Sequence, residues 1–206
     1  MTRGERQAST HAQILAAARV RFLREGYVAT SLEQIADDAG YSKGAVYSNF
    51  RDKPSLCREV LLTIHASRLK EVEAITADAS VEGLLSDVEG WLERTVGDVG
   101  WTMLEMEFAV VSRGNAELTQ MISSLHETMH GAIVATLRTA RSRLGIDVAV
   151  GSAEMLSDLA DLIVATTFGL AVQRAVDPTV SIQPAIYAIR SAFLTPLSEQ
   201  GVKSDT

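Results

Sequence analysis

The sequence predicts an all-α protein. Alanine, leucine, glutamate and arginine recur at spacings of three and four, aromatic residues make up only 5% of the chain, and prolines number four. With 206 residues, 47% of them hydrophobic, the chain can fold as one or two modules around a substantial core. Gly100, Gly114, Gly145 and Gly151, with the Asp177-Pro178 pair, punctuate the helical pattern.

Taken in order, the first helix is expected to start at Thr10, capped by that hydroxyl, with Gln13 closing a capping box. Ile14, Ala17, Ala18 and Phe22 form its inward stripe, and Gly26 is expected to end it in a left-handed conformation. Ser31 and Gln34 repeat the capping signal for a second helix, whose stripe is Leu32, Ile35, Ala36 and Ala39 and which Gly40 breaks. Ser42 caps a third helix that turns Val46 and Phe50 inward and Gly44, Tyr47 and Ser48 outward. Asp52 caps a fourth, where Pro54 fits the first turn because a missing N–H costs nothing there. Leu56, Val60, Leu61, Ile64 and Leu69 carry this helix to about residue 76. Further helices are predicted near 81–97, 101–113, 115–144, 152–176 and 181–195.

Net charge is −7, but it is divided unevenly. Residues 1–58 hold nine Lys or Arg against six Asp or Glu, giving +3; the other 148 residues hold ten against twenty, giving −10. A small polyanion-binding head on an acidic body fits this asymmetry. Cys57 stands alone, which excludes an internal disulfide or a cysteine-based zinc site and suits the reducing cytoplasm. The amino terminus lacks the apolar core of a signal peptide, and no stretch reaches the roughly 20 uninterrupted apolar residues of a membrane span, so no membrane partner is expected. The most apolar run, residues 159–172, carries Asp161, Thr166 and Thr167 and reads as a helix buried between protein surfaces.

Residues 30–53 contain the frame T-S-x3-I-A-x2-A-G-x-S-x-G-x2-Y-x2-F-x2-K: two short helices joined by a glycine-containing turn, of a kind that can enter a DNA major groove. With Ile14-Leu15, Ala17-Ala18, Phe22 and Gly26-Tyr27 upstream, residues 10–62 resemble the amino-terminal domain of the TetR family of bacterial transcriptional regulators. The resemblance implies a helix-turn-helix DNA-binding domain over residues 1–53 and a helical ligand-binding and dimerisation domain over 54–206. It further implies a homodimeric regulator, a repressor released from a palindromic double-stranded operator by a small hydrophobic effector, with no cofactor and no catalysis.

Under that resemblance Thr30 and Ser31 bond phosphate oxygens, Ser42 and Lys43 meet the backbone or a base edge, and Gly44 permits close approach. Tyr47 gives its hydroxyl to phosphate, Ser48 and Asn49 bear on operator sequence, and Lys53 neutralises a further phosphate. Arg3 and Arg6 would form a flexible arm reaching an adjacent groove. Three residues depart from the family pattern: Arg21 where an apolar residue is usual, Tyr41 in the turn, and Asn49 where histidine is frequent.

In the body, the bulky side chains Trp91, Met103, Phe108, Met121, Leu125 and Met129 read either as an ordinary core stripe or, with the ligand-binding role that the resemblance implies for this region, as an apolar effector cavity oriented by Glu107, His126, His130 and Gln173. Ala165 and Gly169, with Ile186, Ile189 and Phe193, are the expected dimer contacts. His126-Glu127-Thr128-Met129-His130 matches the H-E-x-x-H zinc-peptidase motif, but Ile133 and Thr136 stand where the metzincin extension needs glycine and histidine, and Val150 where a thermolysin-like glutamate would fall. No metal is assigned. A helical small-molecule or metal-binding protein is the alternative reading, and a zinc peptidase the remote one.

Overall fold

The structure, a computed structural model, describes residues 2–75, 80–145 and 152–194, among which there are nine helices and no strand. The first, α1 (Arg3–Ala29), starts seven residues before the expected helix start at Thr10. Thr2 accepts from the Glu5 N–H while Glu5 reaches back to the Thr2 N–H at 2.6 Å, and nothing between residues 3 and 10 interrupts the helix. Arg3 and Arg6 therefore ride on the first turns of α1 and are not a flexible arm. Gly26 breaks α1 as expected, but at φ 82°, ψ 173°, which is mirror-extended backbone and not the left-handed helical turn. That region is open essentially to glycine alone. The space is also closed, since a Cβ at Gly26 would lie 2.6 Å from a Glu107 carboxylate oxygen.

α2 (Leu32–Ala39) carries the Ser31/Gln34 capping box, and Gly40 ends it in a true left-handed conformation, φ 71°, ψ 28°. α3 (Lys43–Asn49) is capped by Ser42 and α4 (Lys53–Ala74) by Asp52, which accepts from Ser55 N–H at 2.8 Å. Ile14, Phe22, Ile35, Val46 and Phe50 are buried together. Burying an aromatic or aliphatic side chain of this size contributes about 1.5–3 kcal/mol. The same apolar cluster takes in Leu56, Val60, Leu61 and Ile64 of α4, then Leu104 and Phe108 of α6 (Val99–Ser112) and Ile122 of α7 (Ala116–Arg143). The head is thus seated directly on α6. Where the two cross, a Cβ at Gly100 would run into the Leu23 carbonyl.

A second cluster fills the body, joining Val72 of α4 to α5 (Val81–Gly97), α7, α8 (Ser152–Val176) and α9 (Gln183–Leu194) through Trp91, Leu92, Ile133, Leu156, Ile163 and Phe193. By length and composition α8 could cross a membrane (mean hydropathy 1.6 over its most apolar window). Its run is broken by Asp158 and Asp161, and its neighbours bury Leu156, Leu159, Ala160 and Ile163. Leu162, Val164 and Phe168 of α8 and Tyr187 of α9 stay exposed, so within the one chain described the helix is covered on one side only.

Candidate functional site: an exposed short helix above a cavity with a buried carboxylate

α3 is short, and its few apolar side chains face the head, so its outer surface is polar. Ser42 accepts from the Ala45 N–H at 3.2 Å, Gly44 is exposed, with the Ser42 hydroxyl 3.9 Å from where a Cβ would stand, and Tyr47 is 48% exposed. Lys43 pairs with Glu33 across the α2–α3 turn, and that hydrogen bond raises its ammonium above the usual lysine range. Its Nζ also lies 5.7 Å from the Tyr47 ring. Ser48 Oγ and Asn49 Nδ2 both donate to the Ala45 carbonyl, at 2.9 and 2.8 Å, so these two side chains are folded onto their own helix.

The other expected phosphate contacts sit deeper. Thr30 is buried and donates to the Gly26 carbonyl at 2.8 Å, while Ser31 is engaged as the α2 cap. Lys53 Nζ donates to the Val28 carbonyl at 3.3 Å and lies 4.3 Å from the Tyr27 ring; burial lowers its ammonium below the usual range. Two departures from the family pattern acquire reasons. Arg21 clamps Asp38 with two hydrogen bonds, 2.5 and 2.9 Å, tying α1 to α2, and Tyr41 donates to Gln13 Oε1 at 3.2 Å.

Below the head, α4, α5, α6, α7 and α8 enclose a cavity of about 80 Å³. Its centre is Glu105, 5% exposed, whose oxygens lie 2.5 Å from His126 Nε2 and 3.1 Å from His65 Nε2. Burial by itself would raise this carboxyl; the hydrogen bonds from His126 and His65 outweigh it and hold the pKa near 2. The same contact raises the His126 imidazole, against the opposing effect of its own partial burial. Beside them Arg68 pairs with Asp98 and Glu71, its guanidinium 5.2 Å from the Trp101 ring. A second cavity of about 60 Å³ shares Trp91 and Ile133 as walls.

Of the expected effector residues, Trp91, His126 and Met129 line the Glu105 cavity, and Leu125 with Met129 lines a groove on the far side of His65. Phe108 and Met121 lie in or against the head cluster, and Met103 is partly buried on α6 away from these cavities. Glu107 accepts from the Val28 N–H at 2.9 Å, bracing the break in α1. Gln173 is exposed on α8. His130 turns from His126 to the Ser157 carbonyl (3.3 Å) and Asp161 (3.2 Å), and Glu127 accepts from Ser123, so the H-E-x-x-H side chains do not converge. Among the described residues no group of three or more His, Cys, Asp or Glu is placed to hold a metal ion.

His65, Thr95 and Glu105 line the cavity without any sequence motif that marks them, and Thr167, which the sequence shows only as a polar break in an apolar run, joins them. A signal existed for Glu105: it stands four residues after Trp101 and three before Phe108, within the inward stripe of α6, where a carboxylate has to find partners. Of the expected dimer contacts, Ala165 is exposed and Gly169 half-buried beside open space, Ile186 is partly buried, and Ile189 and Phe193 are buried in the body's own core.

Residues 14–60 match the family described as "Bacterial regulatory proteins, tetR family". The chain is 25% identical over 125 residues to the uncharacterized HTH-type transcriptional regulator YfiR of Bacillus subtilis, 60% of this chain and 61% of that one. It is 32% identical over 80 residues to the HTH-type transcriptional regulator TtgR of Pseudomonas putida, 39% of this chain and 38% of that one. The matched segments thus span less than two thirds of these relatives. Likeness of fold extends further. SmeT of Stenotrophomonas maltophilia, in its triclosan complex, superposes with a TM-score of 0.66 at 22% identity over 92% of this chain and 96% of that one. FadR from Bacillus subtilis, in complex with stearoyl-CoA, gives 0.66 at 17% over 91% and 99%.

Proposed function

We propose that this chain, a TetR-family regulator by its amino-terminal domain and its fold, binds a palindromic operator as a homodimer and is released from it by a small hydrophobic effector. The observation that carries the reading is the capped α2–α3 unit, which presents Ser42, Lys43, Gly44 and Tyr47 outward from a rigid apolar core. Backbone N–H groups and hydroxyls at the helix starts suit phosphate, and Lys43 can exchange Glu33 for a phosphate or a base edge. One seven-residue helix reads few bases, so two heads on a two-fold site supply the specificity. The exposed apolar surface of Leu162, Ala165, Val164 and Tyr187 on α8 and α9 is suited to a second copy. The reducing cytoplasm remains the proposed location.

The Glu105 cavity is the proposed effector site. Its walls include α4, which begins in the head at Lys53, and α6, on which α1 rests. A ligand that spreads these helices changes the separation of two heads that must lie about 34–36 Å apart on one face of DNA. A hundredfold preference for the released state supplies about 2.7 kcal/mol per independent site. Two proteins of like fold solved with triclosan and with stearoyl-CoA support a small-molecule effector.

A gel shift against the DNA upstream of the chain's own coding sequence tests the reading. Retarded duplex is expected with the wild type and much less with Tyr47→Ala or Lys43→Ala. Unchanged binding in both variants would overturn the recognition surface, and no specific shift would overturn the regulator.

A further inference from the structure

The hydrogen-bonding inventory of the Glu105 cavity is incomplete in a specific way. His65 Nδ1, Trp91 Nε1, Thr95 Oγ1 and Trp101 Nε1 are buried and make no hydrogen bond within the protein, and all four residues line this one cavity. Native interiors rarely leave such groups unpaired, because a buried donor or acceptor without a partner loses its hydration and gains nothing in return. Four on one wall set are complementary to something that enters.

Their chemistry states what that is. The two indole N–H groups only donate. His65 directs Nε2 at the ionised Glu105, so in the neutral ring Nε2 carries the proton and Nδ1 is left as an acceptor. The His65 and Trp101 rings stand edge-on, centroids 5.7 Å apart, so the two residues are neighbours on the cavity wall. Thr95 serves either way. A hydroxyl is the smallest group that accepts from an indole N–H and donates to an imidazole nitrogen at once. Charged ligands fit less well. An anion would meet the Glu105 carboxylate, and a cation would have to displace imidazoles already bonded to both of its oxygens while leaving the indoles without an acceptor. The rest of the wall sets the apolar side chains of Met129, Ile133, Val164 and Phe168 beside Thr102, Thr167, which donates to the Ile163 carbonyl, and Arg68, whose charge is already met by Asp98 and Glu71.

We infer that this cavity selects an uncharged hydrophobic molecule bearing a hydroxyl group, with a phenol as the type, the hydroxyl lying between His65 Nδ1 and the Trp101 N–H and the apolar remainder toward Trp91 and Ile133. This deepens the effector-site reading and rests on it for its regulatory meaning, but the binding itself is measured without DNA. Trp91 and Trp101 are the two tryptophans of the chain and both line the site, so intrinsic fluorescence reports occupancy directly.

The full-length protein is titrated with 4-ethylphenol, ethylbenzene, 4-ethylanisole, 4-ethylbenzoate and 4-ethylbenzylammonium. The phenol is expected to bind at least tenfold more tightly than any of the other four, and the anisole, which accepts but cannot donate, to bind like the hydrocarbon. Trp101→Phe is expected to weaken the phenol about fivefold or more and leave ethylbenzene unchanged, with Trp91 as the remaining reporter; if that variant does not fold, Thr95→Val and the wild-type panel carry the test. Equal binding of anisole and phenol, tighter binding of the benzoate or the ammonium, or no binding by the phenol would each overturn the inference. A parallel operator gel shift separates the two readings. Retained operator binding with no phenol selectivity removes only the ligand class, whereas phenol binding without operator binding removes the regulator and leaves the site.

Discussion

In the head, the buried Thr30 hydroxyl donates to the Gly26 carbonyl and the helix starts are capped, whereas in the body the cavity walls keep four polar atoms without a partner. Both regions are closely packed helices, and they differ in what their interiors are for. An interior with every polar group bonded holds one arrangement, which suits a head that must present α3 rigidly. An interior with unspent donors and acceptors gives up stability, and under the proposed effector reading it does so for recognition; its walls include α4, which begins in the head, and α6, on which the head is seated.

The largest expected effect breaks the rigid side of this comparison. Phe50→Ala, at a site 2% exposed, removes a ring packed among Val46 and Leu56 and is expected to cost about 3–5 kcal/mol. A urea melt followed by circular dichroism should show it, with operator binding lost in proportion to the unfolded head.

Next comes the centre of the cavity. Glu105 has its carboxyl held below the ordinary value of 4.5, so its stabilisation is complete above that pH and is lost as pH falls toward about 2. His126 is shifted the other way: its contribution is present below its ordinary 6.5 and fades as pH rises through the raised value. Glu105→Gln should cost on the order of 1–3 kcal/mol at neutral pH and flatten the acid limb of a melting-temperature profile. A variant with the wild-type acid limb would mean that the two imidazoles do not hold the carboxylate.

A matched pair then sharpens the contrast. Thr30→Val removes a satisfied donor and strands the Gly26 carbonyl, for an expected loss of about 1–2 kcal/mol. Thr95→Val removes an unsatisfied hydroxyl and should leave the melting temperature equal or higher. Equal losses in the two would dissolve the distinction drawn between the regions.

The smallest effect on stability is expected from Lys43→Ala, since both members of the Lys43–Glu33 pair are exposed and water screens their attraction. Its consequence should appear only on DNA, as weaker operator binding with a salt dependence reduced by about one phosphate contact. A drop in thermal stability without a change in salt slope would place Lys43 outside the interface.

Much of the architecture was legible in order. Ser31, Ser42, Asp52, Gly40 and Pro54 mark helix ends where the structure has them, and the predicted helix over 81–97 coincides with α5. The first helix start failed because two capping boxes competed and the earlier one, at Thr2 and Glu5, met no interruption before Thr10. The site was legible only in part. Trp91, His126 and Met129 could be read as bulky or polar groups in a body helix, but Phe108 and Met121, equally bulky, pack on the head. Side-chain type cannot say which of two clusters a helical face joins.

The sequence by itself determined where helices start and stop, because caps, glycines and prolines act on backbone groups within three or four residues. It also determined the outward polar face of α3, since Val46 and Phe50 leave one side for Gly44, Tyr47 and Ser48. Only the tertiary structure decided that Glu105 meets His65 forty residues before it and His126 twenty-one after it. That meeting depends on how α4, α6 and α7 cross, and helix crossing is set by the fit of whole side-chain surfaces, which no local spacing records.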